Sequence, residues 1–149
     1  MLNQRFACRY APRVRVWLAV AVGGACGAIA RWLVGEGVHS WLGPAADFPW
    51  GTLLVNVIGC ALIGVVAPIL VGGRAWITAL VVTGFLGGFT TYSAFAEETF
   101  ALADRGDSMG LVLAGLYVVA TIAATSVAVA LGRWTSTRLS PRHDLGAAS

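Results

Sequence analysis

Apolar residues gather into four long runs, at 16–35, 50–71, 75–100 and 110–132, separated by polar connections at 36–49, 72–74 and 101–109. A helix needs about 20 residues to cross the hydrocarbon of a bilayer, and each run reaches that length. No run alternates apolar and polar positions with period two, which argues against a transmembrane barrel. The pattern predicts an all-α integral membrane protein with four transmembrane helices in one domain over 16–132. A basic tail at 1–15 and a second tail at 133–149 flank it, and the ends at 1–13 and 134–149 read as disordered. The first run follows a basic stretch but continues through Arg31 to Gly35, so it reads as a span and not as a cleaved signal.

Composition narrows the class. The chain is 58% hydrophobic and only 11% charged, against about 25% charged in a soluble domain. That excludes a soluble enzyme, a disordered chain, a disulfide scaffold and a nucleic-acid module. All ten basic residues are arginine, and within the runs only Arg31, Glu97 and Glu98 carry charge. With four spans, Arg5, Arg9, Arg13, Arg15, Arg74, Arg133, Arg138 and Arg142 fall on one side. The other side has Arg105, with Arg31 near its membrane edge. The positive-inside rule then puts both termini in the cytoplasm. Cys26 and Cys60 lie inside apolar runs and read as small packing residues. His39 and His143 stand in a connection and a tail, and no catalytic cluster, phosphate loop or paired intramembrane carboxylate is found.

Several positions are odd for a membrane helix. Gly23 and Gly27, and Gly84 and Gly88, form GxxxG pairs. Together with Gly59 and Gly64 they read as close helix contacts. The third run contains Gly87-Gly88-Phe89-Thr90-Thr91, a poor helix centre. Either the helix breaks in this string at mid-membrane, where freed carbonyls suit a cation and half-helix N-termini an anion, or it runs on as a glycine-softened continuous helix. Asn56 is the one carboxamide in any run and shares a helical face with Thr52. It reads either as an interhelical hydrogen bond or as a pore-lining donor. Tyr92 and Phe95 share a face. Tyr117, Thr121 and Thr125 form a hydroxyl stripe that either bonds its own backbone or lines a polar track. Arg31 either snorkels to the interface or draws an anion into a vestibule. Glu97 and Glu98 close the third run, with one or both reaching the interface.

Four segments resemble the Fluc (CrcB) family of fluoride channels: 23–31, 51–59, 84–98 and the Tyr117/Thr121/Thr125 stripe. The resemblance spans 16–132. It implies an antiparallel dimer with two fluoride pathways and a structural Na⁺ ion held by backbone carbonyls of Gly87 and Thr90. It also implies that Asn56 faces the pathway, that Tyr92 and Phe95 are its pore aromatics, that Tyr117, Thr121 and Thr125 are its polar track, and that Arg31 is its vestibule arginine. The chain departs from the family where Tyr92-Ser93-Ala94-Phe95-Ala96 stands in place of the usual Phe-Ser-Thr-Phe-Ser.

On this reading the protein passively exports cytoplasmic fluoride and is not an enzyme. Its partners are the fluoride ion, the bilayer and a second chain of opposite orientation. The strong arginine bias favours a separate, oppositely biased homologue over an identical copy as that chain. Two other classes remain: a non-conducting accessory subunit, and a small four-helix drug/proton antiporter. The antiporter needs a buried carboxylate, which the first span lacks.

Overall fold

The computed structural model describes residues 3–43 and 48–139, and side chains from 13 to 138 outside the 44–47 connection. The side chains of Arg5 and Arg9, together with Arg142 and His143, fall outside the described residues. α1 covers Asn3–Leu42 and α2 Trp50–Leu70. The third span is built in pieces: α3 at Ala75–Thr78, a π-helical stretch at Ala79–Leu86, α4 at Gly87–Phe89, and α5 at Ser93–Ala103. α6 covers Ser108–Leu139, opened by Asp107 Oδ1 accepting the Gly110 N–H at 2.7 Å. Gly72 and Gly106 turn the chain between spans at φ of +85° and +78°, a region glycine enters at little cost.

Four helices are long and apolar enough to cross a membrane: Arg13–Leu42, Trp50–Leu70, Ala75–Ala103 and Ser108–Arg138. The apolar runs marked them in order. Helix, however, extends beyond the runs at both ends of the chain, into stretches expected to be disordered tails. Apolarity sets where a helix enters lipid, but alanine, leucine and arginine continue helix in water as well.

The spans pack as two pairs. α1 lies against α3, the π-helical stretch and α4, while α2 lies along α6. Small residues set both contacts. A Cβ at Gly23 would meet the Leu80 carbonyl, one at Gly27 the Phe85 carbonyl, and one at Gly88 the Gly24 backbone. Gly64 and Gly132 meet likewise between α2 and α6. Apolar burial drives little association in lipid, so backbone approach supplies the contact. The reading of the glycine pairs as packing devices holds.

The break lies slightly later than expected. Gly87 and Gly88 remain helical, and the chain becomes extended at Thr90 (φ −74°, ψ 154°) before helix resumes at Ser93. The threonines, not the glycines, interrupt the helix. Thr90 Oγ1 donates back to Leu86 O at 3.0 Å and ends the first half. Thr91 Oγ1 accepts the Ala94 N–H at 3.2 Å and starts the second. Threonine hydroxyls compete with the helical ladder in this way, whereas Gly88 is needed where it is for its contact with Gly24.

Candidate functional site

Asn56 holds the break open. Its Nδ2 donates to Thr91 O at 2.9 Å, and its Oδ1 accepts the Thr91 N–H at 2.8 Å, both buried. The backbone polarity of Thr91 fixes the amide orientation, since only the NH₂ end can face a carbonyl. The interhelical reading of Asn56 holds: one N–H makes that bond, and the residue also lines a groove.

These bonds have a further effect. In a continuous helix the Thr91 N–H would go to Gly87 O and the Ala94 N–H to Thr90 O. Here they go to Asn56 Oδ1 and Thr91 Oγ1 instead. The carbonyls of Gly87 and Thr90 thus lose their helical donors.

Two cavities meet at this point, and Thr91 lines both. The first is a groove of about 510 Å³ formed by Asn56, Cys60, Thr90 to Tyr92, Phe95, Thr121 and Thr125, with two apolar neighbours from α6. Its aromatic pair, Tyr92 and Phe95, has ring centroids 5.9 Å apart. Tyr92 is 80% exposed and stands at the open side. Thr125 Oγ1 bonds back to Thr121 O at 2.7 Å, the ordinary behaviour of a helical threonine. Thr121 does otherwise. It is only 7% exposed, and its hydroxyl is buried without a hydrogen-bond partner.

The second cavity, about 380 Å³, is lined among others by Arg31, Glu36, His39, Thr52 and Glu98. Arg31 therefore lines this second cavity and not the groove. Tyr117 also leaves the stripe. It is fully buried and donates to Glu98 Oε2 at 2.7 Å, while Thr52 Oγ1 donates to Glu98 Oε1 at 2.7 Å. Phe95 packs on Tyr117 at 5.3 Å and Phe48 meets it edge-on at 5.4 Å.

Of the residues singled out from sequence, the groove unites Asn56, Thr90, Tyr92, Phe95, Thr121 and Thr125, and separates them from Arg31 and Tyr117. Glu97 and Glu98 were read with one or both reaching the interface. Glu98 is a half-buried acceptor for two hydroxyls, and α5 continues to Ala103, which carries Glu98 more than a turn inside the span. Glu97 is exposed. Thr52 and Tyr117 carried a signal in their hydroxyls, but a sequence does not say which hydroxyl meets which carboxylate. Thr91 was visible only as half of a Thr pair.

The sequence profile described as "CrcB-like protein, Camphor Resistance (CrcB)" matches residues 18–133. A Rhizobium leguminosarum bv. trifolii protein named "Fluoride-specific ion channel FluC" is 45% identical over 118 residues, covering 77% of this chain and 90% of that protein. A Bordetella petrii protein of the same name is 45% identical over 118 residues, covering 76% and 88%. One from Erythrobacter litoralis is 40% identical over 127 residues, covering 81% and 91%.

Proposed function

The chain belongs to the CrcB family, and from that premise we infer that it is a fluoride channel in a bacterial membrane, with the Asn56–Thr121 groove as its anion pathway. The observation that supports the groove is Thr121, whose buried hydroxyl has no partner. An unmet buried hydroxyl costs about 1–3 kcal/mol, and Thr121 is one of the residues that line the groove.

Fluoride is small and strongly hydrated, so it crosses only where compact donors replace its water. The groove offers the free N–H of Asn56, the Thr121 hydroxyl and the positive ring edges of Tyr92 and Phe95. Arg31 lines the neighbouring cavity, where its charge stands beside the carboxylates of Glu36 and Glu98. Transport is passive and outward. Fluoride that enters as neutral HF ionises inside, and a membrane potential of 100 mV, negative inside, drives the anion out by about 2.3 kcal/mol.

The groove is open at Tyr92, and a second chain running antiparallel closes it, giving two pathways per dimer. A Na⁺ ion fits the break: the Gly87 and Thr90 carbonyls, deprived of helical donors, are hard oxygen ligands for it. The Gly87 and Thr90 carbonyls would hold the ion, and its positive charge would answer oxygens left without helical donors. With both termini cytoplasmic, the arginine bias makes a separate, oppositely biased homologue the partner of this chain. Equal populations of both orientations, read from terminal tags in cells, would overturn that pairing.

Thr121→Val tests the pathway. It keeps the shape and removes only a hydroxyl without a hydrogen-bond partner, so thermal stability holds or rises, by up to about 3 kcal/mol. Fluoride efflux from liposomes, measured with this chain alone and with a candidate partner, falls about tenfold, equivalent to about 1.4 kcal/mol of barrier. Undiminished efflux refutes the groove as the pathway.

A further inference from the structure

Glu97 is a carboxylate inside a membrane span that its own chain does not answer. The third span runs over Ala75–Ala103, so Glu97 lies six residues before its end (97 to 103), a depth of about 9 Å at 1.5 Å per residue. Its neighbour Glu98 turns inward and accepts from Thr52 and Tyr117. Glu97 is exposed and, among the described residues, makes no hydrogen bond or ion pair. Tyr92, Ser93, Ala96, Glu97, Phe100 and Ala101 are all exposed, and their spacing puts them on one face of α5. That face begins at Tyr92, on the open side of the groove. A second chain that closes the groove therefore continues over Glu97. Lipid is the poor alternative, since a charged side chain at a helix centre costs about 2.5–3.5 kcal/mol and such residues normally face protein or water.

The distribution of charge says which chain fits. Within the apolar runs only Arg31, Glu97 and Glu98 are charged, and all three lie in the half of their span far from the termini. The halves near the termini carry no charge. An antiparallel copy of this chain sets those near halves against the far halves here, so Glu97 meets an uncharged stretch. The copy's arginines on that side, Arg15, Arg74 and Arg133, stand just outside its runs, where their heads are drawn to water and away from the depth of Glu97. We propose that the α5 face around Glu97 is a pairing surface that disfavours a second copy and accepts an oppositely oriented homologue with a basic side chain in the halves of its spans nearest its own termini. The proposal rests on the antiparallel pairing given above. Specificity of this kind is a difference between two costs. The homologue's cation pairs the carboxylate, whereas the copy buries it alone, and an uncompensated buried charge is the costly state.

Glu97→Gln tests this, because it keeps the shape and removes the charge. The side chain bonds nothing among the described residues, so the thermal midpoint of the chain should hold. Self-association of the full chain is read in liposomes from photobleaching steps of a C-terminal fluorophore over a range of protein-to-lipid ratios. Glu97→Gln should strengthen it about tenfold, or about 1.4 kcal/mol, and Glu97→Ala should do the same. Weaker self-association would mean that an arginine of the copy meets Glu97, and unchanged self-association that the face lies outside the contact; either overturns the proposal. With a co-expressed CrcB-family chain that has an arginine or lysine in those half-spans, the sign should reverse. Glu97→Gln should then pair about tenfold more weakly, and Glu97→Asp close to wild type. A mixed pair indifferent to Glu97→Gln overturns the basic-partner assignment. The sidedness of terminal tags separates this surface from the reading beneath it. Chains in one orientation with no response at Glu97 leave the antiparallel pairing standing and sink only the surface. Chains equally in both orientations, with self-association weakened by Glu97→Gln, sink both.

Discussion

Replacing Asn56 tests what holds the third span apart. Two hydrogen bonds tie it to one residue, at 2.9 Å to Thr91 O and 2.8 Å from the Thr91 N–H, with Asn56 itself 7% exposed. Asn56→Leu matches the volume roughly and removes both. Counted as bonds lost in a membrane protein, at about 0.6 kcal/mol each, the cost is about 1.2 kcal/mol. Counted as two backbone groups left buried without partners, at about 1–3 kcal/mol each, it is about 2–6 kcal/mol. The second count applies if the break stays open. The first applies if the segment relaxes, with the Thr91 N–H returning to Gly87 O and the helix partly re-forming. Asn56→Asp discriminates further, since it retains the acceptor for Thr91 N–H and sets a carboxylate oxygen against Thr91 O. The expected order of stability is wild type, then Asp, then Leu, read as thermal midpoints in detergent micelles. Both variants should lose fluoride efflux from liposomes, because both remove the free N–H. An Asn56→Leu protein within about 0.5 kcal/mol of wild type that still conducts would refute the role given to these bonds.

Gly88→Ala places a methyl group against the Gly24 backbone, which cannot yield without moving α1; a loss of about 1–3 kcal/mol is expected, checked by thermal midpoint. Tyr117→Phe removes one of the two hydroxyl donors to Glu98. It should cost about 1–3 kcal/mol, and Glu98→Gln in the same background should recover part of the loss by lowering the charge left unmet. Exchange of Na⁺ for a large organic cation should lower the thermal midpoint of the protein, and an unchanged midpoint would count against carbonyl ligation at the break.

The four spans were legible because hydrocarbon imposes one rule on length and apolarity, and 16–132 obeys it throughout. The existence of a break in the third span was legible too, from a string that favours helix weakly. Its position was not, because Gly87-Gly88 and Thr90-Thr91 both disfavour helix and local propensity cannot rank them. The ranking comes from a tertiary fact: Gly24 needs a glycine opposite it, which keeps Gly88 helical. The stripe on α6 shows the same limit. Spacing placed Tyr117, Thr121 and Thr125 on one face, yet Tyr117 is taken by a carboxylate on α5, Thr125 by its own backbone, and Thr121 by nothing. Cys60 was unreadable for a similar reason, since a lone cysteine in an apolar run does not say which way it faces.

The third span changes neighbours partway along its length. α1 touches α3, the π-helical stretch and α4 but not α5, and α6 touches α5 but none of the earlier pieces. Among the described residues, the span thus belongs to one packing unit before Thr90 and to another after Tyr92. Errors in one unit need not be felt in the other. A defect at Gly88 and one at Tyr117 share no partner, so their costs should simply add, whereas a defect at Asn56 or Thr91 should couple to both. The short extended segment is then where two otherwise independent sets of mutational effects become one.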